Sequence, residues 1–482
     1  MKGLSTIFLE GIAGGFAALF MPCIFPMLPM TVSFFTKGTD KGKGVRRAMV
    51  YGLSIIGIYV ALGLAVTALF GADALNNLST NGVFNFLFFL LLVIFAASFL
   101  GGFEITLPSA WVNKMDRGTG RQGYAGIFFM AGTLALVSFS CTGPIIGTLL
   151  VQTATTGALL GPAVGMMGFS LALALPFTLF ALFPGWLNRL PKSGGWLNSV
   201  KVVLGFLELA LALKFLSNVD LAYHWHWFDR EVFLVLWIVI SAMLGFYLLG
   251  KLRFGHDSPL AYVSVPRLFM AIVVLAFTLY MVPGLWGAPL KSISAFLPPM
   301  ATQDFDLSAT GASPAASMGT AASAVSRKYA AVFDRDRPRG FDPFYDYAEA
   351  LAYAKKMHKP LMIDFTGHAC VNCRKMEANV WTEPPVQQRI NTDYVLVQLY
   401  VDDKTDLDTA DRVTTPEGRV LRTLGNKWSY LQTSKFGANS QPFYVLLDPA
   451  TEKPLVAPQG ADFDANEYLK YLDSGLAAFG TP

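Results

Sequence analysis

Four cysteines are the residues of this chain that most directly suggest chemistry, and they fall into two pairs. Cys23 in "MPCIFPMLP" and Cys141 in "SCTGPIIG" lie within long apolar runs, whereas Cys370 and Cys373 form a C-x-x-C motif in a polar region. Thiolates attack disulfides and bind soft metals. Both kinds of chemistry therefore have to be weighed at each pair.

The two cysteines in apolar runs share a proline at the same spacing. Cys23 lies between Pro22 and Pro26, and Cys141 is followed by Pro144. Proline removes a backbone donor and disfavours helical geometry at the residue before it. Broken backbone within a membrane is tolerated only where it is buried in protein or lines a watery cavity. We therefore expect each C-x-x-P element to interrupt a helix beside a cavity, and two matched copies favour a functional pair over isolated packing residues.

The composition indicates that the cysteines are held by a membrane protein. Of 482 residues, 53% are hydrophobic and only 15% are charged, and the apolar runs end near Trp286. A helix needs about 20 apolar residues to cross a bilayer. The sequence predicts eight spans, at about 6–36, 48–71, 83–103, 124–153, 157–183, 200–217, 231–250 and 268–288.

The positive charges indicate how these spans are oriented. Lysines and arginines concentrate in alternate short loops, at 37–47, 114–121, 189–192 and 251–253, so these loops are predicted to be cytoplasmic. The positive charges behind the net charge of +4 therefore reflect the orientation of the spans in the membrane, and we expect no nucleic-acid partner. The first apolar run is predicted to be a span and not a signal peptide, because Glu10 interrupts it and the positive cluster follows it. An even number of spans places both termini in the periplasm.

The C-x-x-P elements also predict an internal repeat. They fall in the first and fourth predicted spans, which cross the membrane in opposite directions, as in an inverted repeat of three plus three helices. We therefore expect an α-helical polytopic membrane domain over residues 1–290. A small-residue segment indicates a flexible periplasmic linker over 291–338, and a compact α/β domain is predicted over 339–482.

The order of patterns after the linker is typical of a thioredoxin-like fold. "DPFYDYAEALAYAKKMHK" has helical spacing, "PLMIDFT" predicts a buried strand, and "ACVNCRKMEANVW" predicts a loop that runs into a helix. Strands are predicted at "YVLVQLYVD", "QPFYVLLDP" and "PLVAPQG", and a closing helix at "DANEYLKYLDSGLAAF". Cys370 and Cys373 would lie at the first turn of a helix, where free N–H groups stabilise a thiolate. Pro442 occupies the place of the cis-proline of thioredoxins.

Two other interpretations of the C-x-x-C motif are less favoured. Zinc would need two further ligands, and this domain offers only His358 and His368, so we expect no metal ligands. A structural disulfide between cysteines this close would constrain almost no chain entropy.

With these motifs in place, the chain resembles the DsbD family of membrane electron conduits, which supply reductant to the bacterial periplasm. "MPCIFPMLP" and "SCTGPIIGTLL" resemble the cysteine elements of its membrane domain, and "DFTGHACVNCRKME" resembles its C-terminal thioredoxin-like domain. In that family two acidic groups flank the C-terminal redox pair and raise the pKa of the first thiol; Asp364 and Glu377 match them. His368-Ala369 stands where the family usually has tryptophan before the first cysteine. The family's N-terminal immunoglobulin-like domain is expected to be absent, so that either another protein supplies that step or the C-terminal domain acts on clients itself.

The resemblance implies a protein-disulfide reductase of the bacterial inner membrane. Redox-active disulfides Cys23–Cys141 and Cys370–Cys373 would carry electrons without a bound cofactor. The electrons would pass from cytoplasmic thioredoxin to periplasmic disulfide proteins, including those of cytochrome c maturation. The lipid bilayer is the remaining partner expected.

Two alternative functions use the same residues differently. A copper transporter could employ Cys23 and Cys141 as soft ligands, but it would not need a thioredoxin-like domain. A non-catalytic cytochrome assembly factor could contact haem through His224 and His226 in "HWHWF". Aromatic residues and histidines at a membrane surface are more often interfacial anchors.

The predicted topology can be tested with single introduced cysteines. A membrane-impermeant maleimide applied from the periplasmic side should label Asn76→Cys and Ala316→Cys but leave Gly42→Cys and Gly118→Cys unlabelled, because only the first two lie in loops poor in positive charge. Labelling of Gly42→Cys in intact cells would reverse the inside and outside assignment and remove the C-terminal domain from the periplasm.

Overall fold

The structure is a computed structural model that describes residues 4–19, 49–64, 81–103, 131–132, 160–182, 194–255, 257, 262–304, 327–416, 418 and 420–480. Cys23, Cys141 and their neighbours Pro22, Pro26 and Pro144 lie outside these residues. Contacts divide the chain into two units. The first comprises Met1–Ser79, Leu87–Ala212 and Gly250–Val263, and the second comprises Thr80–Phe86, Leu213–Leu249 and Ser264–Pro482.

Apolar helices make up most of the described residues before position 290. They are α1 Leu4–Leu19, α2 Met49–Leu64, α3 Gly82–Phe99, α4 Leu160–Leu182, α5 Gly194–Tyr223, α6 Arg230–Leu248 and α7 Val265–Met281. Four stretches are long and apolar enough to cross a membrane, namely Gly82–Phe99, Asn198–Tyr223, Arg230–Leu248 and Val265–Trp286. They coincide with four of the predicted spans. The predicted span at 124–153 lies almost wholly outside the described residues, so the count of eight and the repeat stay predictions.

Close helix packing in the first unit depends on small residues. A Cβ at Gly11 would lie 2.4 Å from the carbonyl oxygen of Gly165, and one at Gly168 would lie 2.5 Å from that of Phe8. Glycine at these positions lets the backbones of α1 and α4 come into contact. Close packing at small residues is how helices associate in lipid, where the hydrophobic effect does not drive them together. Helix α2 joins them through Tyr59, whose ring centroid is 5.9 Å from that of Phe169.

The second unit includes the helical hairpin α6–α7 and the segment that follows it. Short 3-10 helices occupy Val282–Trp286 and Met300–Thr302. The side chain of Gln303 donates to the carbonyls of Gly284 and Leu285 at 3.0 and 2.9 Å, and Arg230 donates to the carbonyl of Pro298 at 2.8 Å. The chain therefore folds back on the start of α6. Residues 305–326 lie outside the described part, and the flexible linker stays a prediction.

The rest of the second unit has helices and strands in a thioredoxin-like order. They are α8 Ala330–Phe333, α9 Tyr347–Met357, β1 Leu361–Thr366, α10 Val371–Asn379, α11 Pro384–Asp393, β2 Val395–Tyr400, β3 Val413–Thr414, β4 Val420–Leu421, α12 Leu424–Phe436, β5 Phe443–Leu447 and α13 Ala465–Gly480. The main sheet has the order β2-β1-β5, with β2 parallel and β5 antiparallel to β1. Strands β3 and β4 form a separate antiparallel pair.

The sheet is buried on both faces. One apolar cluster includes Ile363 with Leu351 of α9 and Trp428 of α12. The other includes Met362 with Trp381 and residues of α11 and α13. Because side chains alternate between the faces of a strand, Asp364 falls on the same face as Met362, toward the second cluster.

Two expected elements differ from the prediction. The helix expected over residues 342–359 begins only at Tyr347, because the carboxylate of Asp346 accepts the amides of Ala348 and Glu349 and caps it there. The strand expected at "PLVAPQG" is wrong: residues 454–460 form only isolated bridges to β5, through Pro454 and Gln459. Prolines have no amide to donate, so this stretch cannot form a continuous ladder.

Candidate redox site

Cys370 and Cys373 form a disulfide at the start of α10. Cys370 is the N-cap residue of this helix, and its sulfur accepts the amide of Cys373 at 3.1 Å. Free N–H groups and the helix dipole favour a negative sulfur here. Cys370 is half-buried, while Cys373 is 2% exposed, so Cys370 is the sulfur that an outside thiolate can approach.

The segment before Cys370 is held by a carboxylate from the neighbouring strand. Strands β1 and β2 are parallel with Thr366 opposite Tyr400, so their carboxyl ends meet. Asp402, just beyond β2, accepts the amides of His368 and Ala369 at 2.9 and 3.1 Å. A Cβ at residue 367 would lie 2.8 Å from a carboxylate oxygen of Asp402, so the close approach requires glycine. Sequence reasoning missed Asp402, although an acidic residue directly after a buried parallel strand was a usable signal.

The acidic residues expected to flank the redox pair come together through one amide. The side chain of Gln398 on β2 donates to Asp364 at 3.0 Å and to Glu377 at 3.4 Å. Arg374 forms an ion pair with Glu377 at 2.8 Å. Burial raises the pKa of Asp364 to about 7, against the opposing hydrogen bond from Gln398. Burial also raises the pKa of Glu377, and the Arg374 charge opposes it.

Pro442 lies at the opposite edge of β1 from Asp402. The Gln441–Pro442 peptide bond is cis and directly precedes β5, whose Phe443 is paired with Phe365 of β1. Pro442 therefore occupies the start of the strand predicted to carry it.

A cluster of two histidines and two aspartates adjoins the redox segment, and the sequence did not predict it. His224, in the loop after α5, and His368 each have Nε2 close to the same oxygen of Asp403, at 2.8 and 3.0 Å. On their other sides, Nδ1 of His224 and Nδ1 of His368 face one oxygen of Asp336 at 3.6 and 3.9 Å. The backbone amide of Lys404 also donates to the carbonyl of Ala222 at 3.3 Å.

The charges of this cluster act on one another. Burial alone would raise the pKa of Asp403, but the hydrogen bonds from His224 and His368 hold it below its usual range. Burial alone would lower the pKa of His368, but the bond to Asp403 and the nearby carboxylates raise it. Burial raises the pKa of Asp336, against the opposing charge of His368.

Hydrogen bonds to the side chain of Asp220 hold the backbone of the loop that carries His224. The side chain of Asp220 accepts the amides of Trp227 and Phe228 at 2.9 and 3.2 Å. His224 and His226 both adopt left-handed backbone conformations, with φ of 54° and 56°, which are uncommon outside glycine. Trp227 is 75% exposed, as expected of an aromatic residue beside the end of a membrane helix.

A disulfide at a helix start, in an α/β unit that shares its chain with membrane helices, defines a class: integral membrane proteins with a thioredoxin-like redox domain. Residues 4–220 match the family described as cytochrome C biogenesis protein transmembrane domain, and residues 342–449 match the family described as thioredoxin-like. These matches and the apolar helices show that the chain is an integral membrane protein that carries a thioredoxin-like domain.

Curated relatives carry the corresponding names. Thiol:disulfide interchange protein DsbD 1 of Pseudomonas aeruginosa is 27% identical over 443 residues, which cover 89% of this chain and 67% of that protein. DsbD 2 of the same organism is 30% identical over 77% of this chain and 57% of its own length. DsbD of Pseudoalteromonas atlantica is 31% identical over 45% of this chain and 37% of its own length. The chain thus spans about one third to two thirds of the length of these relatives.

The raised pKa of the buried acid Asp364 predicts that the reactivity of the Cys370 thiol is restrained in a pH-dependent way. Above its pKa of about 7 the carboxylate is charged and would oppose a thiolate at Cys370, as the resemblance to the DsbD family implies, whereas at lower pH it is protonated and neutral. In reduced protein lacking Cys23 and Cys141, Asp364→Asn should leave iodoacetamide alkylation of Cys370 unchanged at pH 6. At pH 8 it should accelerate alkylation by about threefold or more.

The matched control for this measurement is Glu467→Gln, which neutralises an exposed carboxylate that pairs with Lys470 on α13. Its alkylation profile should follow that of the parent protein. Equal profiles for Asp364→Asn and the parent across pH 6 to 8 would show that the carboxylate does not act on the thiol.

Proposed function

We propose that this protein carries reducing equivalents across the bacterial inner membrane by thiol–disulfide exchange. Electrons pass from cytoplasmic thioredoxin to a Cys23–Cys141 disulfide, then to Cys370–Cys373, and finally to periplasmic disulfide proteins. The observation that carries the proposal is the disulfide at the N-terminus of α10, on the same chain as a domain matched to the DsbD-type membrane family. The names of the relatives support the same chemistry.

Each transfer is a pair of thiolate attacks. A thioredoxin thiolate attacks the membrane disulfide and forms a mixed disulfide; the partner thiol then resolves it, leaving Cys23 and Cys141 reduced and thioredoxin oxidised. The membrane dithiol next attacks Cys370, the more accessible sulfur, and Cys373 leaves as a thiolate. Two electrons move at each step and no cofactor is required.

The energetics favour outward flow. Thioredoxin has a potential near −270 mV, and isomerase-like clients lie near −180 mV. The difference of about 90 mV corresponds to roughly 4 kcal/mol for two electrons. Clients of this potential include disulfide isomerases, and we include the thiol proteins of cytochrome c maturation among them. A separate immunoglobulin-like carrier would be one route to these clients.

The membrane arrangement that we propose has eight spans with both termini in the periplasm. Three-helix halves of opposite orientation would each contribute one C-x-x-P element near the midplane. Helices broken at Pro26 and Pro144 would open the thiols to each side of the membrane in turn, which intact helices in lipid could not do. The copper-transport and haem-contact alternatives leave the thioredoxin-like disulfide without a purpose.

A resolving-cysteine variant tests the relay. In Cys373→Ala, Cys370 is a lone thiol that can attack the oxidised Cys23–Cys141 disulfide and release one membrane cysteine as a thiolate. Because Cys373 is no longer present to resolve the product, an internal mixed disulfide should accumulate, most directly with Cys23. With a protease site engineered near Ala316, cleavage should leave the two fragments joined on a non-reducing gel and separated after reductant is added.

The matched control is Cys370→Ala, which removes the attacking sulfur and should give fragments that separate without reductant. Double variants that retain Cys370 and only one membrane cysteine, treated with an added thiol oxidant, then assign the partner. Free separation of the Cys373→Ala fragments would contradict the relay and leave two independent thiol pairs on one chain.

A further inference from the structure

The histidine–aspartate cluster has the arrangement of a metal site with its supporting groups. His224, His368 and Asp403 each offer one ligand atom, and these three atoms lie within 4.8 Å of one another. Tetrahedral zinc, with bonds of about 2.0–2.2 Å, holds its ligand atoms roughly 3.3–3.6 Å apart. The observed separations of 2.8 and 3.0 Å between the histidine nitrogens and Asp403 therefore need only a small expansion to admit an ion.

The second aspartate supplies what a metal-bound histidine usually requires. Metal-ligating histidines generally donate their other ring N–H to a carboxylate, which fixes their tautomer and orientation. Asp336 is 1% exposed and faces Nδ1 of both His224 and His368 at 3.6 and 3.9 Å. Neither of its oxygens, nor either Nδ1 atom, has a hydrogen-bond partner within the described part of the chain. A slight rotation of each ring would let both Nδ1 atoms reach the oxygen of Asp336 that they already face.

From this geometry we propose a binding site for a divalent transition-metal ion, with zinc as the fitting probe, formed by His224, His368 and Asp403 and supported by Asp336. Two neutral imidazoles and one carboxylate form a nitrogen and oxygen donor set that suits zinc, and three protein ligands leave a fourth position for water. The rings are also held in place by packing, since His368 stacks on Tyr400 with centroids 4.5 Å apart.

The location gives the site a consequence for the redox pair. His224 belongs to the loop between α5 and α6, whereas His368 lies two residues before Cys370. A bound ion would tie this membrane-proximal loop to the segment that presents the redox disulfide. The site uses neither cysteine, so it is separate from the thiol chemistry and does not depend on the proposed relay.

Metal binding is best measured on the full-length oxidised protein in nanodiscs, with any affinity tag removed and remaining thiols blocked by N-ethylmaleimide. Competition with a chromophoric zinc chelator should reveal one zinc site per chain. His224→Ala and Asp403→Asn should weaken binding by at least about tenfold, and Asp336→Asn by roughly 10- to 100-fold, through loss of the outer carboxylate. Cobalt substitution should give visible bands of nitrogen and oxygen coordination without thiolate charge transfer.

The matched control is His226→Ala. His226 lies on the same loop with the same left-handed backbone, and it faces Asp229 at 3.6 Å instead of the cluster. It should bind zinc like the parent protein. Circular dichroism of each variant separates loss of a ligand from loss of the fold, and Asp336→Asn provides a second, milder change. Absence of zinc binding by the folded parent, or equal binding by all variants, would overturn the proposal.

Discussion

The parallel pairing of β1 with β2 is the constraint on which the redox site depends. Thr366 stands opposite Tyr400, and the amide of Val401 donates to the carbonyl of Thr366 at 3.0 Å. Both strands therefore end at one edge, and the residues that follow run side by side. Asp402 then accepts the amides of His368 and Ala369, and the buried Asp403 contacts His224 and His368. Because these contacts depend on the pairing of β1 with β2, a shift of the register by one residue would move both carboxylates away from their partners.

Local sequence patterns predicted those elements whose formation depends on residues close together in the chain. Apolar runs in the sequence predict the buried strands β1, β2 and β5, and helical spacing predicts the helices α10 and α13. Helix α12 was missed because its signal is weak and depends on tertiary contacts. Its N-cap Thr423 and its left-handed Gly437 mark the ends, but its packing requires Gly425, where a Cβ would lie 2.6 Å from the carbonyl oxygen of Asp403.

The candidate site divides in the same way. The C-x-x-C motif was predictable, because cysteine spacing and a helix start are local features. His224 and Asp403 are 179 positions apart in the sequence, and no local pattern around either residue predicts their contact. Aromatic residues and histidines in such a loop are ordinarily interfacial anchors. This interpretation fits Trp227, which is exposed, better than it fits His224, which contacts Asp403. Only the folded arrangement distinguishes the two histidines of that loop.

Two opposing electrostatic effects act on the attacked sulfur, and their balance suits a relay better than either effect alone. The start of α10 favours a thiolate at Cys370, while the buried acids Asp364 and Glu377, if they act as the resemblance to the DsbD family implies, would disfavour one when ionised. A thiol with a strongly depressed pKa is a good leaving group but a weak nucleophile, and the best attacking thiol has a pKa near the ambient pH. A relay cysteine must be attacked by one partner and must then attack the next. An intermediate pKa, reached by setting a helix terminus against buried carboxyls, lets the same sulfur serve in both steps.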